Sequence, residues 1–412
     1  MPIAYLATLV VALAAGVPAG AAEPLGALAP PDVKASAAIL VDAVSGQVIF
    51  EKSADAQRQP ASTTKIMTAI LLLETTQPDE VIVADKQAAE TEGSSLNLKP
   101  GERVTAHDML YALMLRSAND GCVAVAEHIA GSEARFAEMM TERAREIGAT
   151  RTVFRNCNGL PMPGHVSTAR DLATLARFAS RYPEFNRATA TRFYTIRRDR
   201  NKADVLLKNH ARFLWHFPGA DGVKTGYTNR AGRCFVGGAT WNGWRLISVV
   251  LNSPDPFPET AQLMKYGFYH FEARRLAEAG QEVARVAVRG GAAESVPATV
   301  DAALQAVLRR GGVGDARLVV HAEPLAAPVA AGARLGRVDV VVDGRVTASA
   351  PLLAAQAVAP SLTASVAGRL GGRPIVMLLF VGVIWYARTA AKGPGIRRSR
   401  VKALLRNTHR RG

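Results

Sequence analysis

The sequence predicts an α+β architecture: a large domain on an antiparallel sheet, a small β-rich domain after it, and a C-terminal membrane anchor. Three observations carry this. Asn242-Gly243 joins two β-patterned runs, 233–241 and 244–251, and Asn-Gly between such runs is the strongest short hairpin signal. Lys65 is followed by Ile66, Met67, Ala69, Ile70, Leu71, Leu72 and Leu73 with only Thr68 between them. A helix that apolar on most faces is buried at the centre of a domain. Near residue 277 the composition shifts to short alternating runs of Val, Ala, Gly and Arg, and a last apolar run, 375–386, precedes a basic tail.

The chain of 412 residues suits two or three domains. Residues 3–17 are apolar and lead to the small-residue site Ala19-Gly20-Ala21. That pattern predicts a secretory signal peptide, 1–22, although its start carries no Lys or Arg. Runs 37–42 and 46–51 predict a hairpin at a sheet edge. The Ser62 helix follows, then a polar loop over 85–100. Thr105-Ala-His-Asp108 is a capping box that opens a helix with Leu110, Leu113 and Met114 on one face. That helix stops at 117–121, and a second apolar helix, 122–130, begins at once. So short a polar break between two helices forces a sharp turn and displays the break in a cleft.

Helices are predicted at 136–148 and 172–180, the latter capped by Thr168, with a rigid loop at 156–164 between them. Residues 181–203 are charged and mixed and yield no assignment. A strand at 223–226 precedes the Asn242-Gly243 hairpin, and a helix at 259–271 closes a domain spanning 33–272. Strands at 282–289, 317–322, 338–342 and 345–350 build a β-rich domain over 277–359. Residues 374–391 are read as a membrane anchor, with Arg388 snorkelling and Trp385 and Tyr386 at the interface. A helix lying on the membrane surface is the rival reading. The tail, 392–412, then lies in the cytoplasm by the positive-inside pattern.

The net charge of +15 is local. Residues 361–412 hold eleven Lys and Arg and no Asp or Glu, so the rest of the chain carries only +4. A nucleic-acid partner does not follow from it. Cys122, Cys157 and Cys234 form no disulfide framework and no metal-ligand spacing, and they read as small buried hydrophobes. His107, His128, His165 and His210 are scattered and read as structural. Asp120 reads as a helix N-terminal charge.

Ser62 and Lys65 lie three residues apart, on one helix face. A serine hydroxyl attacks well only when a neighbouring base takes its proton. Lysine can be that base if burial or nearby positive charge lowers its pKa. Alone, this spacing is weak evidence. In order along the chain, however, stand Ser62-x-x-Lys65, Ser117-x-Asn119 and Lys224-Thr225-Gly226. The set resembles the penicillin-recognising serine acyltransferases. The stretches 61–68, 98–102, 117–120, 167–171 and 221–226 resemble one branch closely, the low-molecular-mass penicillin-binding proteins that act as D-alanyl-D-alanine carboxypeptidases. The resemblance covers 33–271 strongly and the later segments only in layout.

The resemblance implies the family's transpeptidase fold, an antiparallel sheet with helices on both faces. It implies that Ser62 attacks the terminal D-Ala–D-Ala bond of a peptidoglycan pentapeptide and forms an acyl-enzyme, with Lys65 as its base and Ser117 as a proton relay. Asn119 would position substrate or the lysines. Lys224 and Thr225 would meet the substrate carboxylate, and Gly226 would let an extended substrate approach the strand. The N–H groups of Ser62 and Tyr227 would form an oxyanion hole. β-Lactams would acylate Ser62, and neither a cofactor nor a metal is needed. The chain would be exported, its catalytic domain on the periplasmic face of the cytoplasmic membrane.

Two departures stand out. Ala118 occupies a position where this branch usually has glycine. No arginine lies in the proline-rich stretch 254–258, where relatives often keep one; Arg230 and Arg233, the available substitutes, read as surface charge. A D,D-endopeptidase acting on cross-links uses the same motifs and remains the alternative. A β-lactamase lacks a placed glutamate here. A wall-binding protein with an idle site would not need Ser62, Lys65, Ser117 and Lys224 together.

Overall fold

Ala37–Asp42 (β1) is buried at every residue, which requires cover on both faces of its sheet, because alternate side chains point to opposite sides. The computed structural model describes residues 30–201, 205–312, 314–361 and 381–384. β1 pairs on one side with Val48–Lys52 (β2), the edge strand. Ala220–Thr228 (β3), Gly232–Trp241 (β4) and Trp244–Ser253 (β5) complete a sheet of order β2-β1-β5-β4-β3. All its pairings are antiparallel. Asn242 and Gly243 both take positive φ, as a two-residue hairpin of this kind demands.

The two faces have separate cores. Ile39, Val41 and Val249 pack with Ile66 and Ile70 of Lys65–Thr75 (α1), and with Asn119–Ala130 (α2) and Ala169–Ala179 (α3). Ala38, Leu40 and Val250 pack on the other face with Leu263 and Met264 of Pro256–His270 (α4). The expected arrangement of helices on both faces is therefore present. α4 starts at Pro256 rather than 259, since proline fits the first helical turn.

Thr105 caps the helix Ala106–Tyr111, its hydroxyl accepting from the Asp108 N–H at 3.1 Å. The helix then widens into a π-turn, Ala112–Arg116, and ends at Ser117 in the left-handed region, φ 62°. The unassigned stretch 181–203 contains the helix Pro183–Ala190 and the strand Phe193–Thr195, which pairs with Leu206–Lys208.

Beyond α4 the chain is β-rich, with a six-stranded sheet and a two-stranded one. Glu282–Arg289, Ala316–Ala322, Arg334–Val342 and Arg345–Ala354 fall where alternation placed strands. Phe271–Ala277, Ser295–Val300 and Leu304–Arg309 are additional. This part has its own core of Val296, Val338, Val340 and Leu352. It meets the larger domain through polar bonds: the Gln47 amide donates to the Val307 carbonyl and accepts from its N–H, each at 2.8 Å. Gln305 donates to Asp42 at 2.7 Å. The expected leader, 1–22, the tail, 392–412, and the anchor, 374–391 apart from residues 381–384, lie outside the described residues. Among the described residues no helix is long and apolar enough to cross a membrane.

Candidate active site

Ser62 stands in a short 3-10 turn, Ala61–Thr64, and Lys65 is the first residue of α1. Ala61 has φ +48°, so the turn is held in a conformation that costs energy for a residue with a β-carbon. The neighbours allow it because they are glycines. A β-carbon on Gly159 would overlap the Ala61 carbonyl, and one on Gly226 would lie 3.0 Å from the Ser62 nitrogen.

Lys65 is fully buried. Its Nζ lies 2.7 Å from Asn119 Oδ1, 2.7 Å from the Asn158 carbonyl and 3.0 Å from Ser62 Oγ. The Asn119 orientation is set because its Nδ2 donates to the Glu92 carbonyl at 2.6 Å. Both amide oxygens can only accept. A neutral amine has two N–H groups, and these two oxygens take them. The lone pair then remains for the third contact, the Ser62 hydroxyl. Burial favours that neutral form by pulling Lys65 below the usual lysine range. The thiols of Cys122 and Cys157, when ionised, and the Asp120 carboxylate push the other way.

Lys224, 1 % exposed on β3, is held well below its ordinary value by burial and then by the charge of Lys65. Its Nζ donates to the Thr225 carbonyl at 3.0 Å. Ser62, Ser117, Thr225, Gly226 and Tyr227 line one cavity of about 550 Å³. Ser117 Oγ makes no hydrogen bond to either lysine among the described residues. Tyr227 is 63 % exposed and donates from its hydroxyl to Asn229, so its ring stands at the cleft mouth.

Several residues differ from their sequence readings. Asp120 does open α2, but it is fully buried and clamps a loop: its carboxylate accepts from the N–H of Leu96 at 3.0 Å and of Leu98 at 3.0 Å, and from the Ser95 hydroxyl at 2.6 Å. Ser94, in that loop, lines the cleft. His210 and Arg233 line the cleft rather than lying apart from it, and so does Arg212. Arg233 Nη1 donates to the Pro254 carbonyl at 2.7 Å and ties the proline-rich wall to β4. Register puts Arg233 beside the site, since it pairs with Tyr227; no local pattern marks His210 or Arg212. Although His210 is exposed, desolvation of its ring, then Lys224 and Arg116, pull it to about 4. His165 is structural: its Nδ1 accepts from the Arg155 N–H at 3.0 Å, so Nε2 carries the proton and donates to Thr64 Oγ1 at 2.9 Å. Cys122 is buried core.

Comparison with known proteins agrees in both parts of the chain. Residues 25–255 match the family model described as D-alanyl-D-alanine carboxypeptidase, and residues 271–360 match that for the C-terminal domain of penicillin-binding protein 5. The chain is 33% identical over 331 residues to the D-alanyl-D-alanine carboxypeptidase DacF of Bacillus subtilis, covering 78% of this chain and 85% of that one. It is 33% identical over 341 residues to DacC of Escherichia coli, covering 78% and 84%. Among solved structures, penicillin binding protein 5 from Haemophilus influenzae superposes with a TM-score of 0.68 at 28% identity, over 81% of this chain and 100% of that one.

Proposed function

The chain belongs to the D-alanyl-D-alanine carboxypeptidase family, and from that membership we propose that it is a serine-type hydrolase removing the terminal D-alanine from peptidoglycan stem pentapeptides. The observation that carries the reading is the Lys65 contact set, which in the neutral amine leaves a buried lone pair facing Ser62. Ser62 Oγ attacks the penultimate D-Ala carbonyl carbon as its proton passes to Lys65. The oxyanion that forms turns to the N–H groups of Ser62 and Tyr227, a contribution of about 3 kcal/mol per donor in such sites. The C–N bond breaks, and the departing amine receives a proton through Ser117. D-Alanine leaves, its carboxylate having been held by Thr225 with Lys224 behind it. Water then attacks the ester while Lys65 takes its proton, and Ser62 is restored. Asn119 fixes the lysine, and Gly226 leaves room for the substrate backbone. β-Lactams open on the same serine.

The test is incubation of the protein with a disaccharide pentapeptide, read by mass spectrometry. Loss of one alanine, absent in Ser62→Ala, supports the reading. An intact pentapeptide with cleaved cross-linked dimer moves the assignment to an endopeptidase.

Location is part of the same proposal. Residues 1–22 serve as an export leader, and 374–391 hold the catalytic domain on the periplasmic face of the cytoplasmic membrane, leaving 392–412 inside. The apolar runs, the small-residue site Ala19-Gly20-Ala21 and the basic tail support it. A chain ending at residue 360 should lose its sedimentation with membranes; equal sedimentation of both chains refutes the anchor.

A further inference from the structure

A second groove opens off the catalytic cleft. His210 and Arg212 line both and form their common wall, and Lys208, Asn209, Trp215 and His216 line the remainder of a cavity of about 640 Å³. Among the described residues this lining holds no Asp or Glu. The Lys208 ammonium stands 5.9 Å above the Trp215 ring, with the Arg192 guanidinium 5.8 Å from the same ring. An aromatic face can hold a cation in place without neutralising it. Neither Lys208 nor Arg212 has a carboxylate partner among the described residues. A concave surface of one charge sign concentrates ligands of the other.

The groove also has a direction. Gly226 packs on the Ser62 amide, so the scissile carbonyl belongs beside it. Thr225 and Lys224 come next along β3, and His210 lines the same cleft as Thr225 and Gly226. Passing from Gly226 to Lys224 to His210 therefore leads from the scissile bond, past the carboxylate of the departing residue, into the groove. This step rests on the reading that Thr225 meets that carboxylate.

We propose that the groove receives the leaving-group side of a longer peptide substrate, and that Lys208 and Arg212 select for a carboxylate carried there. A single departing D-alanine ends before the groove. A departing amine that is itself part of a carboxylate-bearing peptide runs into it. The two cations are exposed, so their pairing is modest and salt-sensitive.

The experiment uses Ser62→Ala protein, which leaves its ligand whole, and a fluorescently labelled cross-linked stem-peptide dimer. The carboxylate beside the departing amine stays free, so that its contact with Thr225 is the same throughout; the other acceptor-strand carboxylates are either free or converted to amides, and binding is read by anisotropy. The free form should bind about fivefold more tightly than the amide at low salt. Adding Lys208→Gln and Arg212→Gln should bring the two forms to equal affinity. Equal affinities without those changes, or a preference that survives them, overturns the inference. Pentapeptide hydrolysis by protein with Ser62 intact is followed in parallel. Alanine release without a carboxylate preference refutes the groove alone. A carboxylate preference without alanine release supports the groove and refutes the carboxypeptidase reading.

Discussion

Gly159 lies so close to Ala61 that a β-carbon on it would occupy the Ala61 carbonyl oxygen. Gly159 also has φ +91°, where an L side chain is strained. Gly159→Ala must therefore displace the 3-10 turn that presents Ser62. A loss of about 1–3 kcal/mol in stability is expected, together with at least tenfold slower penicillin labelling of Ser62. Urea melts and stopped-flow acylation measure the two effects. Unchanged acylation would show that the turn tolerates movement.

Ser62 acylation should rise with pH, with its inflection below the ordinary lysine value of 10.5, because burial lowers Lys65 and only the neutral amine accepts a proton. A rate flat from pH 5 to pH 11 would exclude Lys65 as the base.

At Lys224 the proposed role opposes stability. Its folded pKa lies well below its unfolded one, so the stability it contributes is present above about pH 10.5 and is lost as pH falls through the folded value. Lys224→Met should thus raise stability at neutral pH by about 0.5–2 kcal/mol while acylation falls. Thermal melts at pH 7 check the sign.

Glu127 couples stability to mild acid. Among the described residues its Oε2 is buried without a partner, and burial, then Asp85, raise its carboxyl from 4.5 to about 7. The protonated form satisfies the site, since its O–H can donate to Asp85. The folded state binds the extra proton, so this stability is full below about 4.5 and is lost as pH rises through about 7. In Glu127→Gln the melting temperature should change less between pH 5 and pH 8 than in the parent. An identical change in both would remove Glu127 from the account.

Asp120→Asn keeps the shape but places an amide N–H₂ against the N–H groups of Leu96 and Leu98. A loss of about 2–3 kcal/mol follows from unpaired buried donors. Hydrogen exchange at 94–98 should quicken, and KM should rise more than kcat falls.

The side chains of the candidate site were legible because each motif joins chemically distinct residues at short spacing, next to a pattern that names its element. Ser62 and Lys65 head an apolar helix, Ser117 follows a helix stop, and Thr225 precedes an Asn-Gly hairpin. Asp120 was half legible: its place at the start of α2 is local, but its partners, Leu96 and Leu98, come from another loop. Residues 181–203 resisted reading because Phe193–Thr195 finds its partner strand only after a charged interval. Within that interval Arg198 is buried against Glu102 at 2.7 Å, an ion pair no periodicity announces. His210 and Arg212 carry no pattern of their own, and only the fold brings them to the cleft. In the β-rich part, Ser295–Val300 contains Pro297, which depresses strand signals.

The joint between the domains includes amide and carboxylate bonds through Gln47, Asp42 and Gln305, a Tyr266–Phe271 ring contact and an Arg310 bond to Phe268, while among the described residues the oily interiors on either side share no member. Heat should accordingly take the protein apart in two stages. Calorimetry would record both endotherms, and an activity assay only the one that ruins the cleft. Cutting the chain after His270 would uncover groups that water can serve, so the shortened enzyme should stay dispersed in solution instead of clumping.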